Sequence, residues 1–505
     1  MARITSKHKG QQILTYSDFT GGLNTSNAEE MIAPNELSKA QNVEIDRGTG
    51  LLKTCCGTRT LLEDTEKSFV SMGYDSIGRQ FILTDANYKV YSCKETEGTW
   101  ALTELGMLTG HVFPAYAVWE DGILIASGGK MQYVHGDTIT TLENSPEECN
   151  GVFVKDGRVF TYYGDELHAS ASGDEETWAS QSDVDSEGQW LQIGYKDGGK
   201  IAGVTNLSSD ILIFKDNGHA YHLYGQYPDW TLKEISRDIG CRGYRACCSI
   251  ANEALVLSDT MLQSVSTTDT YGEMRADDVS QKIAKDIAAL PKDTRLKYMP
   301  PLNQVWMLAG KQKMLFLDVP TGGYFLRRFA EPIEDAVAVG DKVYVLKEHE
   351  FQVLDEASVE DSGSLIQWEF RCKTQVSMNE TLVKRVRFDV TPDTDVRYDC
   401  RLLVGRVSVD ATMPRYASSV YGDKTVVYRS SREVYEPHAE PEYNNSEIVY
   451  DSREEVFGSD MPLLVVNMYR KDVRCCQRLR SVRLQCQGRG GRFLFNQLGY
   501  EYVEV

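Results

Sequence analysis

The sequence predicts an all-β protein, in which a β-propeller of about seven short antiparallel blades is joined to a β-rich platform domain. Apolar strands alternate with short turns, which leave no room for crossover helices. The strand pairs recur at intervals of roughly 35–55 residues, and short sheets repeated at this spacing are typical of propellers. An array of β-sandwiches is the main alternative, and about six or eight blades would also fit the pattern.

The stretch 210–259 shows the repeating unit most clearly. Alternating apolar residues at 211–214 predict a half-buried strand, and Asp216-Asn217-Gly218 supplies the positive-φ residues of a tight hairpin turn. A second strand is predicted at His219–Tyr224, and Ile250–Leu257 begins the next unit. Strand, short turn and strand in succession indicate an antiparallel meander.

The same pattern recurs through the middle of the chain. Units begin near Phe69, Val112, Val152, Ile201, Ala246, Leu296 and Val337. Strand pairs are predicted at Gln80–Thr84 and Lys89–Cys93, Gly122–Ala126 and Met131–His135, Val159–Tyr162 and Leu167–Ser170, Val305–Ala309 and Met314–Asp318, and Lys342–Leu346 and Phe351–Leu354. One helix is predicted at Asp277–Leu290, where apolar residues recur with a helical period.

The chain is expected to have three zones. Residues 1–66 form an N-terminal arm that supplies platform strands, residues 67–363 form the propeller, and residues 364–505 form the C-terminal platform domain. In the arm a short helix is predicted around Pro34–Gln41, because proline and acidic residues favour a helix start. Strands are predicted in the two ends of the chain at Asn42–Asp46, Leu51–Thr54, Trp368–Thr374, Val383–Val390, Arg401–Val409, Leu463–Tyr469, Ser481–Gln487 and Phe493–Val505, with a long polar loop at 410–459.

Charge and cysteine content exclude several classes of protein. The net charge of −20 argues against a general duplex-DNA binder, which needs a basic surface. Three adjacent pairs among the 12 cysteines, and no Cys-x-x-Cys, predict reduced and mostly buried thiols rather than a disulfide or zinc framework. The polar start and the lack of a long apolar run predict synthesis in the cytoplasm without a secretory signal or a transmembrane span.

One stretch departs from the acidic average. Between Tyr469 and Arg492 there is a single acid, Asp472, among the basic residues Arg470, Lys471, Arg474, Arg478, Arg480, Arg483, Arg489 and Arg492. These residues could be solvated outward positions of alternating strands. They could instead form a docking face for an acidic neighbour.

We find no set of residues typical of catalysis, and we expect neither an enzyme nor a metal or cofactor. Asp183-x-Asp185-x-Glu187-Gly188 resembles the start of a calcium loop, but Gly194 stands where a bidentate glutamate is needed. Ser172-Gly173-Asp174 with Trp178 resembles an Asp-box, which is a structural turn. His219 and His222 are predicted on opposite faces of one strand. The aromatics Tyr221, Tyr224, Tyr227 and Trp230 are expected in the sheet core rather than in a sugar platform.

Three groups of motifs resemble those of the tail hub or nozzle proteins of short-tailed bacteriophages. This family is also described as tail tube or head-completion proteins. The first is in the arm: Asp18-Phe19-Thr20-Gly21-Gly22-Leu23-Asn24, then Ala33-Pro34-Asn35-Glu36-Leu37, Asn42-Val43-Glu44-Ile45-Asp46 and Gly57-Thr58-Arg59. The second is Asp165-Glu166-Leu167-His168-Ala169-Ser170 with Gly173-Asp174 and Trp178. The third is Phe214, Gly218-His219-Ala220-Tyr221, Gly225, Ile235, Gly240-Cys241 and Leu257-Ser258-Asp259. The resemblance covers roughly residues 13–363, and Cys55-Cys56 departs from it where an arginine is common.

The resemblance implies a structural virion protein that forms a ring, a hexamer, which extends the DNA ejection channel below the portal and adaptor. DNA would pass through without specific binding, since the negative subunits would repel its phosphates. Implied partners are further copies of the chain, the portal–adaptor complex, and tail fibre or needle proteins, and the tip could contact the host envelope. The expected interface residues are Gly21, Gly22, Leu23, Asn24, Arg470, Arg474, Arg478, Arg480 and Arg483.

Two alternatives come from other classes of function. The first is a carbohydrate-binding or polysaccharide-degrading tail protein, and paired carboxylates for such chemistry are not excluded by composition. The second is a monomeric propeller adaptor inside a cell. The glycine-rich arm is expected to pair its strands either with the C-terminal sheet or with a neighbouring subunit.

Overall fold

The computed structural model describes residues 2–8, 11–179, 187–207, 210–251, 253–267, 274–392, 399–404, 407–410 and 469–504. The chain divides into two compact units. The first, here called the platform, comprises Met1–Thr58, Leu317–Ala330 and Asp355–Val505. The second, here called the propeller, comprises Arg59–Phe316 and Glu331–Leu354.

Nearly all regular structure in the described residues is β-strand. The arm contains β1 (Ala2–His8), β2 (Gln11–Tyr16), β3 (Gly22–Leu23), β4 (Glu36–Gln41), β5 (Val43–Ile45) and β6 (Leu52–Thr54). Then come β7 (Gly57–Glu63), β8 (Phe69–Asp75), β9 (Gln80–Asp85), β10 (Lys89–Thr96), β11 (Thr99–Met107), β12 (Ala115–Trp119), β13 (Gly122–Ala126), β14 (Gln132–His135), β15 (Thr138–Thr141), β16 (Val152–Lys155), β17 (Arg158–Tyr163), β18 (Glu166–Ala169) and β19 (Gln189–Gln192).

The second half of the propeller contains β20 (Ile201–Leu207), β21 (Asp210–Lys215), β22 (Ala220–Tyr224), β23 (Thr231–Ser236), β24 (Cys247–Ile250), β25 (Glu253–Leu257), β26 (Leu262–Thr267), β27 (Met274–Asp278), β28 (Arg295–Met299), β29 (Gln304–Leu308), β30 (Lys311–Asp318), β31 (Gly323–Val339), β32 (Lys342–Lys347) and β33 (Glu350–Asp355). The C-terminal part contains β34 (Glu360–Asp361), β35 (Ser364–Leu365), β36 (Gln367–Cys372), β37 (Gln375–Pro392), β38 (Asp399–Val404), β39 (Val407–Asp410), β40 (Tyr469–Val482), β41 (Leu484–Arg489) and β42 (Phe493–Glu504). Two 3₁₀ turns, Gln281–Ile283 and Pro300–Leu302, and one helix, α1 (Ala284–Ala288), complete the elements.

The strand order confirms the predicted β-propeller with about seven blades. Five separate four-stranded antiparallel sheets are formed in turn by β8–β11, β12–β15, β16–β19, β20–β23 and β24–β27. β28, β29 and β30 belong to the sixth blade, and the second half of β31 continues through β32 and β33 to β7 as the seventh. Central strands such as β9 and β13 are buried at every residue, because each blade packs on both faces against its neighbours.

The propeller is closed by a strand from the start of the chain. β7 pairs with β33, so the last blade is completed by residues that precede the first. At this junction the ring of Phe81 in the first blade lies 4.6 Å from Tyr344 and 4.9 Å from Phe351 in the seventh, measured between centroids. Buried apolar residues from both blades surround these rings. The junction therefore holds the two ends of the blade array together.

In the platform, arm strands pair with C-terminal strands. β2 lies antiparallel to β42, and β4 lies antiparallel to β36. Of the two partners expected for the arm, the C-terminal sheet of the same chain is therefore the one found here. Phe495 stands at the centre of the aromatic core, 4.5 Å from Phe370 and from Phe493 and 5.7 Å from Phe388 between ring centroids.

The helix predicted at Pro34–Gln41 is wrong, because residues 36–41 form β4. The local proline and acidic residues suit a helix start, but β4 pairs with β36 and buries Leu37 and Ala40 completely. Tertiary pairing overrides the local preference here. The strands predicted at Asn42–Asp46 and Leu51–Thr54 are confirmed as β5 and β6.

The helix predicted at Asp277–Leu290 is shorter than expected. β27 extends to Asp278, and only the 3₁₀ turn and α1 follow the helical pattern, with Ile283 and Ile287 buried. The strand predicted at Arg401–Val409 is divided into β38 and β39. The loop predicted at 410–459 and most of the strand predicted at Leu463–Tyr469 lie outside the described residues.

Replacement of Phe81 by alanine should destabilise the propeller by roughly 3–5 kcal/mol, because it leaves a cavity at the junction that closes the ring. Ile77 provides the matched control, since it is 55% exposed on the turn that precedes the same strand. Ile77→Ala should change the unfolding free energy by less than about 0.5 kcal/mol. Urea unfolding followed by tryptophan fluorescence measures both. Equal effects of the two substitutions would contradict the role given to the junction.

Candidate interface

The glycine-rich arm motif is packed inside the platform. Gly21, Gly22, Leu23 and Asn24 are all buried. The Asn24 amide nitrogen donates to the Leu37 carbonyl at 2.9 Å, and the Asn24 side chain donates to Glu36 Oε2 at 2.8 Å. These bonds join the arm motifs at residues 18–24 and 33–37.

Gly22 has a conformation and surroundings that exclude a side chain. Its φ is +63°, and a Cβ placed on it would lie 2.6 Å from the backbone nitrogen of Tyr324. The motif thus serves the chain's own core, where glycine is needed for close backbone approach. A role of Gly21, Gly22, Leu23 and Asn24 in contacts between subunits stays a prediction.

The basic segment, residues 469–492, begins with a strand that forms an edge of a platform sheet. In the described part of the chain, β40 ends the sheet order β1-β2-β42-β37-β40 and pairs with β37 alone. Arg474, Arg478 and Arg480 on β40 are exposed, and none of them forms an ion pair with a described acidic residue. Arg470 also lies on β40, but its side chain is outside the described set.

The pairing of β37 with β40 places like charges opposite each other. Arg385 on β37 is the direct partner of Arg474 on β40, and both are exposed. Two cations at facing positions destabilise a strand pair unless an anion lies near them. On its other side Arg385 is paired in register with the acidic residue Glu501 of β42.

Exposed apolar residues lie on β37, the partner strand of β40. Val376 is 64% exposed and Met378 is fully exposed. The register shifts between Val376 and Thr381, so the intervening residues bulge opposite Arg480. We call the surface made by Val376, Met378, Arg474, Arg478 and Arg480 the basic ribbon. Methionine and arginine are enriched at protein interfaces, and an edge strand with unpaired backbone groups is a template for pairing with another chain.

Arg483, the fifth predicted interface arginine, already has a partner in its own chain. Its Nη2 lies 2.6 Å from Glu29 Oε2, and Arg371 Nη1 lies 2.6 Å from Glu29 Oε1. Partial burial raises the pKa of Glu29, but the hydrogen bond and charge of Arg371 and the charge of Arg483 outweigh it, so the pKa lies below its usual value. Arg483 therefore ties the arm to the C-terminal strands and is less available to a partner than the ribbon arginines.

The described residues contain no group of histidine, cysteine and acidic side chains that could hold a metal ion. Asp183 and Asp185 of the incomplete calcium loop lie outside the described residues. Asp174 forms the expected structural turn, accepting from the Glu176 amide at 2.9 Å and the Thr177 hydroxyl at 2.8 Å. His219 and His222 bind different acids, Glu234 and Asp210.

Most of the described cysteines and two of the four aromatic residues occupy the positions expected of structural residues. The described cysteines form no disulfide, and all but Cys248 and Cys476 are buried. Tyr221 is 7% exposed and Trp230 packs on Phe160, as expected for core residues. Tyr224 and Tyr227 differ from this expectation, because they are 37% and 41% exposed. No helix in the described residues is long and apolar enough to cross a membrane.

No protein-family model and no curated protein matches this chain. Among solved structures, the chain is similar to the WD40 β-propeller domain of Doa1, with 10% identity over 60% of this chain and 97% of that one and a TM-score of 0.41. It is also similar to BamB from Moraxella catarrhalis, with 10% identity over 62% and 94% of the chains and a TM-score of 0.38. The Pan2 WD40 domain of Neurospora crassa gives 8% identity over 60% and 94%, with a TM-score of 0.37.

Replacement of Glu29 by glutamine should destabilise the platform by about 1–3 kcal/mol at neutral pH, because two arginines lose a charged acceptor. The Glu29 pKa is lowered in the folded state from a reference value of 4.5. Its stabilising effect is therefore complete above that value and disappears as the pH falls through the folded-state pKa. Thermal unfolding of the two proteins between neutral and acidic pH measures this difference.

Glu30→Gln is the matched control for this prediction, since Glu30 is the adjacent residue and is exposed. Its melting temperature should follow that of the unsubstituted chain at every pH. A difference between Glu29→Gln and the unsubstituted chain that stays constant down to strong acid would show that ion pairing is not the cause.

Proposed function

We propose that this chain is a structural tail protein of a short-tailed bacteriophage, a tail hub or nozzle subunit that assembles into a hexameric ring. The ring extends the DNA ejection channel below the portal and adaptor. The observation that carries the proposal is the basic ribbon: three exposed arginines on β40, a sheet edge that is unpaired among the described residues, and two exposed apolar residues on β37. The order of the arm and propeller motifs in the sequence supports the assignment to the tail hub family.

Charge complementarity favours a second copy of the chain as the partner of the ribbon. The chain carries a net charge of −20, so its surface beyond the ribbon is strongly acidic. A basic patch that meets a different, acidic patch on the next copy makes a heterologous contact, and such contacts close into rings when the rotation permits. Attraction between the patches would also align the copies during encounter.

The net negative charge of the chain also fits a channel through which DNA passes. Copies that each carry −20 would give a ring a repulsive lumen unless basic residues lined it. Because phosphates would be repelled from such a wall, DNA would pass without being held. The ribbon arginines would be neutralised in the subunit contacts, away from the passing strand.

The direct test is the mass of the purified protein, alone and mixed with a portal–adaptor complex. The proposal expects a species near 56.8 kDa, the mass of one chain, to become a sixfold ring on the adaptor. A protein that stays monomeric with the portal–adaptor complex would contradict the proposal and favour an intracellular adaptor. Release of reducing ends from host polysaccharide would favour the depolymerase alternative.

Charge reversal at Arg478 and Arg480 together should abolish ring formation while leaving the monomer folded, because both side chains are exposed and lack described acidic partners. Native mass spectrometry at low salt gives the assembly state, and circular dichroism gives the fold. Rings of the unsubstituted chain should weaken as salt is raised, since screening reduces contacts between surface charges.

Arg237→Glu with Arg275→Glu is the control pair, which makes the same change in net charge on exposed propeller residues. Rings should survive this change. Rings that form equally well from the Arg478 and Arg480 variant would refute the ribbon as the subunit contact. Loss of rings in both pairs would point to net charge rather than to the ribbon.

A further inference from the structure

A second cationic cluster lies among the first strands of the propeller blades. It consists of Arg245, just before β24, Arg295 and Lys297 on β28, Asp335 on β31 and Phe113, just before β12. The guanidinium carbon of Arg295 is 3.6 Å from the centroid of the Phe113 ring, and that of Arg245 is 5.8 Å from the same centroid. We call these five residues the inner-strand cluster.

Asp335 is the acid that contacts the cluster, and its oxygens are already used. It is completely buried, and its Oδ1 lies 2.5 Å from Lys297 Nζ. Its Oδ2 accepts from the Met72 amide at 2.9 Å, and Lys297 Nζ also donates to the Ala336 carbonyl at 3.0 Å. This ion pair neutralises one of the three cations and joins the first, sixth and seventh blades.

The two arginines have no comparable partner. Arg295 is 8% exposed, its Nη2 donates to the main-chain carbonyl of Glu334 at 2.6 Å, and its Nε has no hydrogen-bond partner among the described residues. Arg245 packs against Phe113 and against Tyr244, whose ring centroid is 5.0 Å from its guanidinium carbon. In the described part of the chain no carboxylate lies within ion-pair distance of either guanidinium.

The cluster therefore has an excess of positive charge where burial makes charge costly. Burial lowers the pKa of Arg295 and of Lys297, while Asp335 acts in the opposite direction on both. The charges of Glu334 and Asp293 also oppose the effect of burial on the pKa of Arg295. Neither carboxylate forms an ion pair with Arg295, and that of Glu334 lies towards Gly310, 3.3 Å from where a Cβ would stand on that glycine. Buried cations in proteins are normally paired with an anion.

The cluster is partly exposed to solvent. Lys297 keeps 22% of its side-chain surface accessible, although its burial among neighbouring groups is strong enough to lower its pKa. Arg245 and Phe113 are half-buried rather than enclosed. The first strands of propeller blades line a central channel, which is the route of access expected for this position.

We propose that the inner-strand cluster binds a small oxyanion of the phosphate class, held by the guanidinium groups of Arg245 and Arg295. Each guanidinium presents planar N–H donors that match the oxygens of phosphate. The Nε of Arg295 is buried and has no hydrogen-bond partner in the part of the chain that the structure describes, so this donor is unused there. The proposal is independent of ring assembly, because all five residues belong to the propeller of one chain.

The test is calorimetric titration of the full chain with inorganic phosphate at constant ionic strength, with sodium chloride as the balancing salt. We expect saturable binding, and a melting temperature that rises with phosphate and then levels off. Arg245→Gln should weaken binding roughly tenfold or more, because it removes a charged donor. Sulfate should compete, since it presents the same tetrahedral oxygens, whereas acetate should compete less.

Arg275→Gln is the matched control, because Arg275 is an exposed propeller arginine whose Nη2 pairs with Asp277 at 2.8 Å. This variant should bind phosphate like the unsubstituted chain. The absence of saturable phosphate binding in the unsubstituted chain would overturn the proposal, whatever the variants do. Equal binding by the Arg245→Gln and unsubstituted chains would also overturn it and leave the cluster with a structural role only.

Discussion

The closure of the blade array by β7 is the constraint on which the rest of the structure depends. A propeller has no free ends only if its last blade is completed, and here a strand from residues 57–63 completes it beside β33. The chain must therefore bring residues 57–63 and 350–355, which are remote in sequence, together before the seventh blade exists. The Phe81 junction then buries aromatic rings from the first and seventh blades against each other. Non-local pairing of this kind makes folding slow but leaves few open sheet edges.

The platform is built by the same principle. Its core needs strands from both ends of the chain, because β2 and β6 pair with β42, and β4 pairs with β36. The arm motif supports this arrangement: Gly22 permits close approach to Tyr324, and Asn24 binds Glu36. These arm residues thus have a clear structural task within one chain.

The strands of the blades could be predicted from the sequence, but the contacts between distant segments could not. Blade strands could be predicted because continuous apolar runs such as 80–84 are bounded by turn residues, and both features are local. The strand β4 could not be predicted, since its pairing with β36 outweighs a local pattern that suits a helix. The pairing of Glu29 with Arg371 and Arg483 likewise depends on three segments that are remote in sequence.

Positively charged side chains of this acidic chain lie in two different environments, the basic ribbon and the inner-strand cluster. On the basic ribbon the arginines are exposed, so salt screens the attraction that their charge exerts. The basic segment was visible in the sequence, but the sheet edge, the Arg385–Arg474 pair and the exposed Met378 emerge only from the register of β37 and β40. In the inner-strand cluster Arg295 is buried, and no sequence motif brought Arg245, Arg295 and Asp335 together. Convergence of several blades on one place creates that cluster.

The most direct test of the central claim is a cryo-electron microscopy reconstruction of the chain bound to a portal–adaptor complex. The account predicts a ring of closed propellers in which β37 and β40 of each copy contact an acidic surface of the next. A ring in which β37 and β40 face solvent in every copy would contradict the assignment of the subunit contact. A complex that contains no ring would contradict the proposed function itself.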